Sequence, residues 1–274
     1  MNVYLLDITS VPEQAVSEYA DVLDADRKKR IAQYRRSADK RRSFGAGMAL
    51  LYAWRMQYKE QIMPQTARDE NGKPFFVGAA APFCLSHSGK YAACVLGTEK
   101  ETAIGLDIQE PRKVRAGVSV RFFSDGEQKQ LDAGSDPCLI WSRKESLAKY
   151  RGSGLRGSLR LLDTAGEQSC RSTCLEAEGV PCQYACQEAE GVSCQYACQG
   201  AEGMPCQYAC QGAEGVPCQY ACREAEGTSC QTADAAAHIW SCCTPDGYAI
   251  SVCTKEAVIC RLVYLTWEQM KGIL

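Results

Sequence analysis

The chain has 274 residues, 46% of them hydrophobic, and 31 Lys and Arg against 33 Asp and Glu give a formal net charge of −2. That length fills one large or two small domains, and that apolar fraction is ordinary for a globular protein. No stretch is long and apolar enough to span a bilayer, and Met1-Asn-Val-Tyr-Leu-Leu-Asp-Ile-Thr9 lacks the basic and apolar regions of a signal peptide, so a cytoplasmic protein without membrane contact is expected.

The opening residues, about 2 to 8, read as a first strand. From about Asp24 to Glu60, Ile31, Tyr34, Phe44, Met48, Leu51, Tyr52 and Trp54 recur at spacings near 3 and 4, which predicts helix with a break near Ser37. The polar loop Asn71-Gly72-Lys73-Pro74 leads into short strands at 75 to 77 and 83 to 85, then 91 to 97 and 103 to 108. Ser124-Asp-Gly-Glu127 has the capping-box pattern. Asp136-Pro137 starts a helix that Gly152 stops. Strands are expected at 158 to 162, 238 to 243, 248 to 253 and 258 to 264, with Pro245-Asp-Gly247 turning one hairpin and Thr266 with Gln269 capping a last helix.

Each half therefore reads as helix followed by antiparallel strands. The expected fold class is α+β with two similar lobes, one over 1–104 and one over 105–274, the second interrupted at about 170–235. The interruption is a twelve-residue unit copied five times from Cys174 to Ala233, beginning CLEAEGVPCQYA and ending CREAEGTSCQTA. Its units are too short and too poor in apolar residues for the common solenoids, so it is expected to be a poorly ordered insertion. Eleven of the 18 cysteines lie between 170 and 230. The other seven, among them Cys84, Cys94, Cys253 and Cys260, read as reduced core thiols. Regular Cys-x3-Cys spacing suits soft metals or redox cross-links, yet duplication alone produces it and the segment holds no His. With eight Glu and one Arg in the repeat, the remainder carries a net +5, which favours anionic partners.

Three short motifs carry candidate chemistry. Asp107, closing the apolar run Ala103-Ile-Gly-Leu106, suits a hard cation or, equally, a turn carboxylate. Glu145 and Lys149 stand one helical turn apart on the face of Trp141, as a surface ion pair or as part of a site. Ser86-His87-Ser88-Gly89 offers hydroxyls and an imidazole to a phosphate. The basic run Arg27-Lys28-Lys29-Arg30 is a solvated face or a phosphate contact; nucleic-acid binding is set aside, because the aromatics nearby stand at core spacing.

Together these residues resemble the phosphopantetheinyl transferases of the Sfp type. The matching pieces, in order, are Arg42-Ser43, Gly72-Lys73-Pro74, Ser86-His87-Ser88-Gly89, Gly105-x-Asp107-x-Gln109, Arg121-Phe-Phe-Ser-x-x-Glu127, Trp141-Ser-x-Lys144-Glu145-Ser-x-x-Lys149 and Asp246-Gly-Tyr248. The resemblance implies two pseudo-twofold-related lobes with the site between them. It further implies magnesium-dependent transfer of the 4'-phosphopantetheine arm of coenzyme A to a serine of an apo acyl or peptidyl carrier protein, releasing 3',5'-ADP, as in a holo-[acyl-carrier-protein] synthase. Asp107, Gln109 and Glu145 then match metal ligands, Gln109 standing where the family often has Glu. Glu127 matches a general base and Lys149 a contact to the transferred phosphate. Lys28, Arg42, Lys73, Ser86 and His87 match coenzyme A contacts, His87 at the 3'-phosphate, and a monomer is expected. The alternative is a catalytically weak relative that binds carrier proteins, thiols or metal through its cysteine repeat.

Overall fold

The computed structural model describes residues 1–59, 62–113, 116–152, 159–165, 168–171, 227–231 and 237–274. The chain opens with β1 (Asn2–Asp7), then α1 (Ala15–Tyr19), α2 (Ala25–Gln33) and α3 (Ser37–Tyr58). Asp24 caps α2 by accepting from the Arg27 amide at 3.0 Å, and an extended Tyr34 and Arg36 separate α2 from α3, the expected break. A small hairpin, β2 (Thr66–Arg68) and β3 (Pro74–Phe76), precedes β4 (Phe83–Ser88) and β5 (Tyr91–Leu96).

After β6 (Gly105–Gln109) come α4 (Ala116–Phe122), α5 (Asp125–Asp132) and α6 (Pro137–Arg151). Asp136 caps α6 by accepting from the Cys138 amide at 2.8 Å, Pro137 fills the first helical position, and Gly152 ends it at φ 68°, a left-handed conformation that suits glycine. The remaining elements are β7 (Gln168–Arg171), β8 (Gly227–Gln231), β9 (His238–Cys243), β10 (Ala249–Thr254), β11 (Arg261–Leu265) and α7 (Trp267–Lys271), whose capping box is formed by Thr266 and Gln269.

Two sheets result, in the orders β11-β1-β5-β4 and β6-β10-β9-β8-β7. Strand alternation sorts the core: Tyr4 and Leu6 of β1 pack toward α3 with Met48 and Phe83, while Val3 and Leu5 face Leu106, Ile108, Ile250 and Val252 of the second sheet. On the far side of the second sheet, Leu147 of α6 packs on Ile239 and Cys253. The layers therefore run α3, sheet, sheet, α6, a mixed arrangement of helices and mainly antiparallel strands.

Three expectations change. The last strand does not stay with the C-terminal half: β11 pairs parallel to β1, Asn2 opposite Arg261 through Leu6 opposite Leu265, so the first sheet is mixed and the division at residue 104 does not follow the sheets. The strand expected at 158 to 162 is, from Leu159 to Leu161, a 3-10 turn, held because Leu162 O and the Thr164 amide are taken by side chains of α6 and α5. The copies of the repeat between 174 and 226 lie outside the described residues, but β7 and β8 fall inside the expected insertion as paired strands, Arg171 opposite Gly227. The chain thus leaves and re-enters the sheet at adjacent points, an arrangement in which a long excursion costs little closure entropy.

Cys84, Cys94, Cys138, Cys242, Cys243, Cys253 and Cys260 are free thiols, and all but Cys243 are buried. Among those residues no helix is long and apolar enough to cross a membrane.

One contact sets how the second sheet carries its helix. A Cβ at Gly105 would lie 1.9 Å from Ser146 O and 2.7 Å from Tyr150 N of α6. Glycine is required there because helix backbone occupies the space. Gly105→Ala is expected to cost about 3 kcal/mol in urea unfolding, the upper range for overpacking; a loss under about 0.5 kcal/mol, typical of an unconstrained surface position, would show that α6 is not seated there.

Candidate active site

Along β6, Leu106 and Ile108 point into the core between the sheets, so Gly105 and Asp107 face α6. The close approach at Gly105 then brings the next residue of that face, Asp107, against the second half of α6. Asp107 is buried, and its Oδ1 accepts from Lys149 Nζ at 2.7 Å and from Ser86 Oγ at 2.8 Å. Lys149 Nζ donates as well to Ser86 Oγ at 3.0 Å and to Leu106 O at 2.9 Å. One aspartate, one lysine and one serine from three different elements thus share a single hydrogen-bonded knot.

Glu145 lies one turn before Lys149. Burial, and then the charge of Asp107, push its carboxyl up to about 7, with Lys149 pulling the other way. Burial works against the charge of Lys149, but Asp107, Cys84 and Glu145 together outweigh it and the ammonium is held above the ordinary lysine value. A carboxyl whose proton affinity is raised by burial and by a neighbouring carboxylate forms with that neighbour the kind of pair that a hard divalent cation relieves.

Gln109 joins the group in a different sense from the one expected. Its Nε2 donates to Asp107 Oδ2 at 2.8 Å, and its Oε1 accepts from Arg112 Nη2 at 3.5 Å. The acceptor-only carboxylate requires the amide nitrogen on its side, so the oxygen that would ligate a metal is turned away.

The coenzyme-contact residues divide. Lys73 is half-buried with Nζ donating to Tyr150 O at 3.3 Å, and burial lowers its pKa. His87 sits at the rim; loss of solvent, then Arg42 and Lys149, hold its imidazole below the ordinary value. Arg42 Nη1 donates to Gly89 O at 3.0 Å, in the turn that follows His87. Lys28 does not join them: its Nζ pairs at 3.2 Å with the exposed Asp21. Arg30, two residues on, donates from Nε to Tyr34 Oη at 3.2 Å, and its charge adds to the depression of the His87 pKa. Arg27 on the same helix is buried, and burial, then Arg68 and Arg30, bring its pKa down to about 10. Helical periodicity counted from the buried Ile31 singles out Arg27, one turn back, as the basic residue of this run that the core takes in.

Glu127 is the clearest correction. Its side chain is 0% exposed, Oε1 accepts from the amide and hydroxyl of Thr164 at 2.9 and 2.6 Å, and Oε2 accepts from the Ser124 amide at 2.8 Å and from Lys144 Nζ at 2.6 Å. Lys144, also fully buried, donates in addition to Leu162 O. A general base needs a lone pair within reach of the hydroxyl it deprotonates. In this arrangement Glu127 has none to offer, and it ties α5, α6 and the segment after Leu159 together.

Residues 103–209 match the family model described as the 4'-phosphopantetheinyl transferase superfamily. The 4'-phosphopantetheinyl transferase AcpT of Salmonella typhimurium is 34% identical over 97 residues, 33% of this chain and 50% of that protein. The AcpT protein of Escherichia coli (strain K12) is 34% identical over 114 residues, 39% of this chain and 56% of the relative. The 4'-phosphopantetheinyl transferase Sfp of Bacillus subtilis (strain 168) is 34% identical over 93 residues, 31% and 40% of the two chains. The chain spans about half the length of these curated relatives.

Two outcomes are expected of the charges. Lys144→Met and Glu127→Gln each break a fully buried ion pair and should each cost about 3–5 kcal/mol in urea unfolding; a Glu127→Gln protein as stable as its parent would sink the structural assignment. Glu145 has a higher pKa folded, about 7, than its ordinary 4.5, so the folded state binds the extra proton between those values. Without divalent cations, stability should therefore fall as pH rises across that window, and Glu145→Gln should flatten the slope.

Proposed function

We propose that this chain, of the 4'-phosphopantetheinyl transferase superfamily and the group of AcpT and Sfp, transfers the 4'-phosphopantetheine arm of coenzyme A to a serine of an apo acyl or peptidyl carrier protein. The observation that carries this reading is the meeting of Asp107, Glu145 and Lys149 beside Ser86, where strands of both sheets and α6 converge. The two-lobed, pseudo-twofold architecture of the resemblance belongs to the same reading, each sheet being backed by one long helix.

The reaction is a phosphoryl transfer. The serine oxygen of the carrier forms a bond to the phosphorus that bears pantetheine, the bridging bond of the pyrophosphate breaks, and 3',5'-ADP leaves with the electron pair. Little covalent chemistry falls to the protein, so positioning and charge stabilisation dominate. Asp107 and Glu145 would hold a magnesium ion, which would neutralise charge on the pyrophosphate oxygens. Lys149 sits within hydrogen-bonding reach of both Asp107 and Ser86, where a phosphate oxygen is the natural replacement for one of its three acceptors. With Glu127 enclosed, Glu145 is the carboxyl beside Asp107 left to take the serine proton. Arg42, Arg30 and Lys73 form the cationic rim that takes the nucleotide phosphates, and His87 binds the 3'-phosphate by donating a ring N–H.

The test is purified full-length protein with coenzyme A, magnesium and several apo carrier proteins, read by mass for the added arm. Transfer to at least one carrier is expected, with Asp107→Ala and Glu145→Ala each reducing it by about 10²-fold or more. No transfer to any carrier would overturn the reading.

A further inference from the structure

The Asp246-Gly-Tyr248 motif takes no part in the chemistry above, yet it reaches across to the turn that carries His87. Tyr248 is buried where β10 begins, and its ring packs edge-on against Tyr91 with centroids 4.9 Å apart. Its hydroxyl accepts from the backbone amide of Lys90 at 3.2 Å and donates to Glu110 Oε1 at 3.3 Å. Beside it, Asp246 pairs with Lys90 Nζ at 3.0 Å. The tip of the β9–β10 hairpin thus clasps the tip of the β4–β5 hairpin.

The turn between β4 and β5 is held from several sides, Ile8 N donating to Lys90 O at 2.8 Å from the end of β1. Gly89 has φ +50°, and a Cβ there would meet Tyr248 Oη at 2.2 Å and Glu110 Oε1 at 2.6 Å, so the phenol fills the space that glycine leaves open. From the other side Arg42 Nη1 holds Gly89 O, and the Glu110 amide donates to Ser88 Oγ at 2.9 Å. Every one of these bonds falls on Ser88, Gly89 or Lys90. None touches His87 directly, and all fix the strand end from which its imidazole projects.

We infer that Tyr248 is a positioning residue, whose hydroxyl sets the Gly89 turn so that His87 is aimed at the 3'-phosphate of the bound nucleotide. The inference rests on the proposed coenzyme A site and adds a residue, from the second sheet, that tunes one phosphate contact. Tyr248 itself touches no substrate. Removing its hydroxyl leaves the Lys90 amide without its acceptor while the ring still packs on Tyr91.

The experiment is titration calorimetry of full-length parent and Tyr248→Phe with coenzyme A and with 3'-dephospho-coenzyme A, alongside the transfer assay. One hydrogen bond acting through the turn should weaken coenzyme A binding by about 3- to 10-fold, leave 3'-dephospho-coenzyme A binding and kcat within about 2-fold, and add nothing once His87 is replaced by Ala. A merely structural role would lower both affinities alike, and that outcome, or no change in either, overturns the inference. If Tyr248→Phe does not accumulate as folded protein, Glu110→Ala, which removes the exposed acceptor of the same hydroxyl, must shift the same ratio in the same direction. A parent protein that binds both nucleotides with the expected preference but transfers no arm overturns the catalytic reading alone, and one that binds neither overturns both.

Discussion

The backbone of α6 lies on the backbone of β6 at Gly105, and the site depends on that contact. With the helix so close, a residue one pleat along the strand and a residue one turn along the helix necessarily face each other, and these are Asp107 and Lys149. Any side chain at Gly105 would lift the helix by more than the length of a hydrogen bond allows. The buried serines reinforce the seat: Ser142 Oγ lies 2.7 Å from Ser251 Oγ, which donates to Ser241 Oγ at 3.1 Å, tying α6 to β10 and β9. Polar groups that are satisfied in one register only resist sliding of the helix over the sheet.

Two ion pairs on the same helix show how burial divides roles. Lys144 and Glu127 are 0% exposed on both sides, and every oxygen of the carboxylate is already used. Lys149 and Asp107 are 29% and 4% exposed, so a ligand can approach from the lysine side. The first pair is closed and holds the fold; the second is open at one end and holds exchangeable partners. Lys144 and Lys149 are five residues apart, which places them on different faces of the helix, one toward α5 and one toward β6. The acidic residue between them, Glu145, meets Asp107 in partly dry surroundings, and that encounter raises its proton affinity.

Much of the fold was legible in local sequence because its signals are local. Asp136-Pro137 and Gly152 delimit α6 by their own backbone preferences, and Thr266 with Gln269 does the same for α7. The parallel return of β11 beside β1 was not legible: Arg261–Leu265 reads as a strand in either sheet, and only its pairing with Asn2–Leu6 decides which. The basic run on α2 declared positive charge, but only the tertiary surroundings decide that Arg27 is buried while Lys28 meets Asp21. Glu127 was recognisable as the capping residue of α5 and was assigned chemistry on resemblance; the burial that removes it from the chemistry comes from Lys144 and Thr164, 17 and 37 residues away in sequence.

By itself, the sequence determined α5, α6 and α7 with their caps, the strand that carries Asp107, and the residue types able to serve a cation and a phosphate. These follow from propensities and spacings within a dozen residues. Only the tertiary structure decided which carboxylates are available. Access depends on what lies within a few ångströms in space, and for Asp107 and Glu127 the decisive neighbours, Lys149, Ser86, Lys144 and Thr164, come from other elements of the chain.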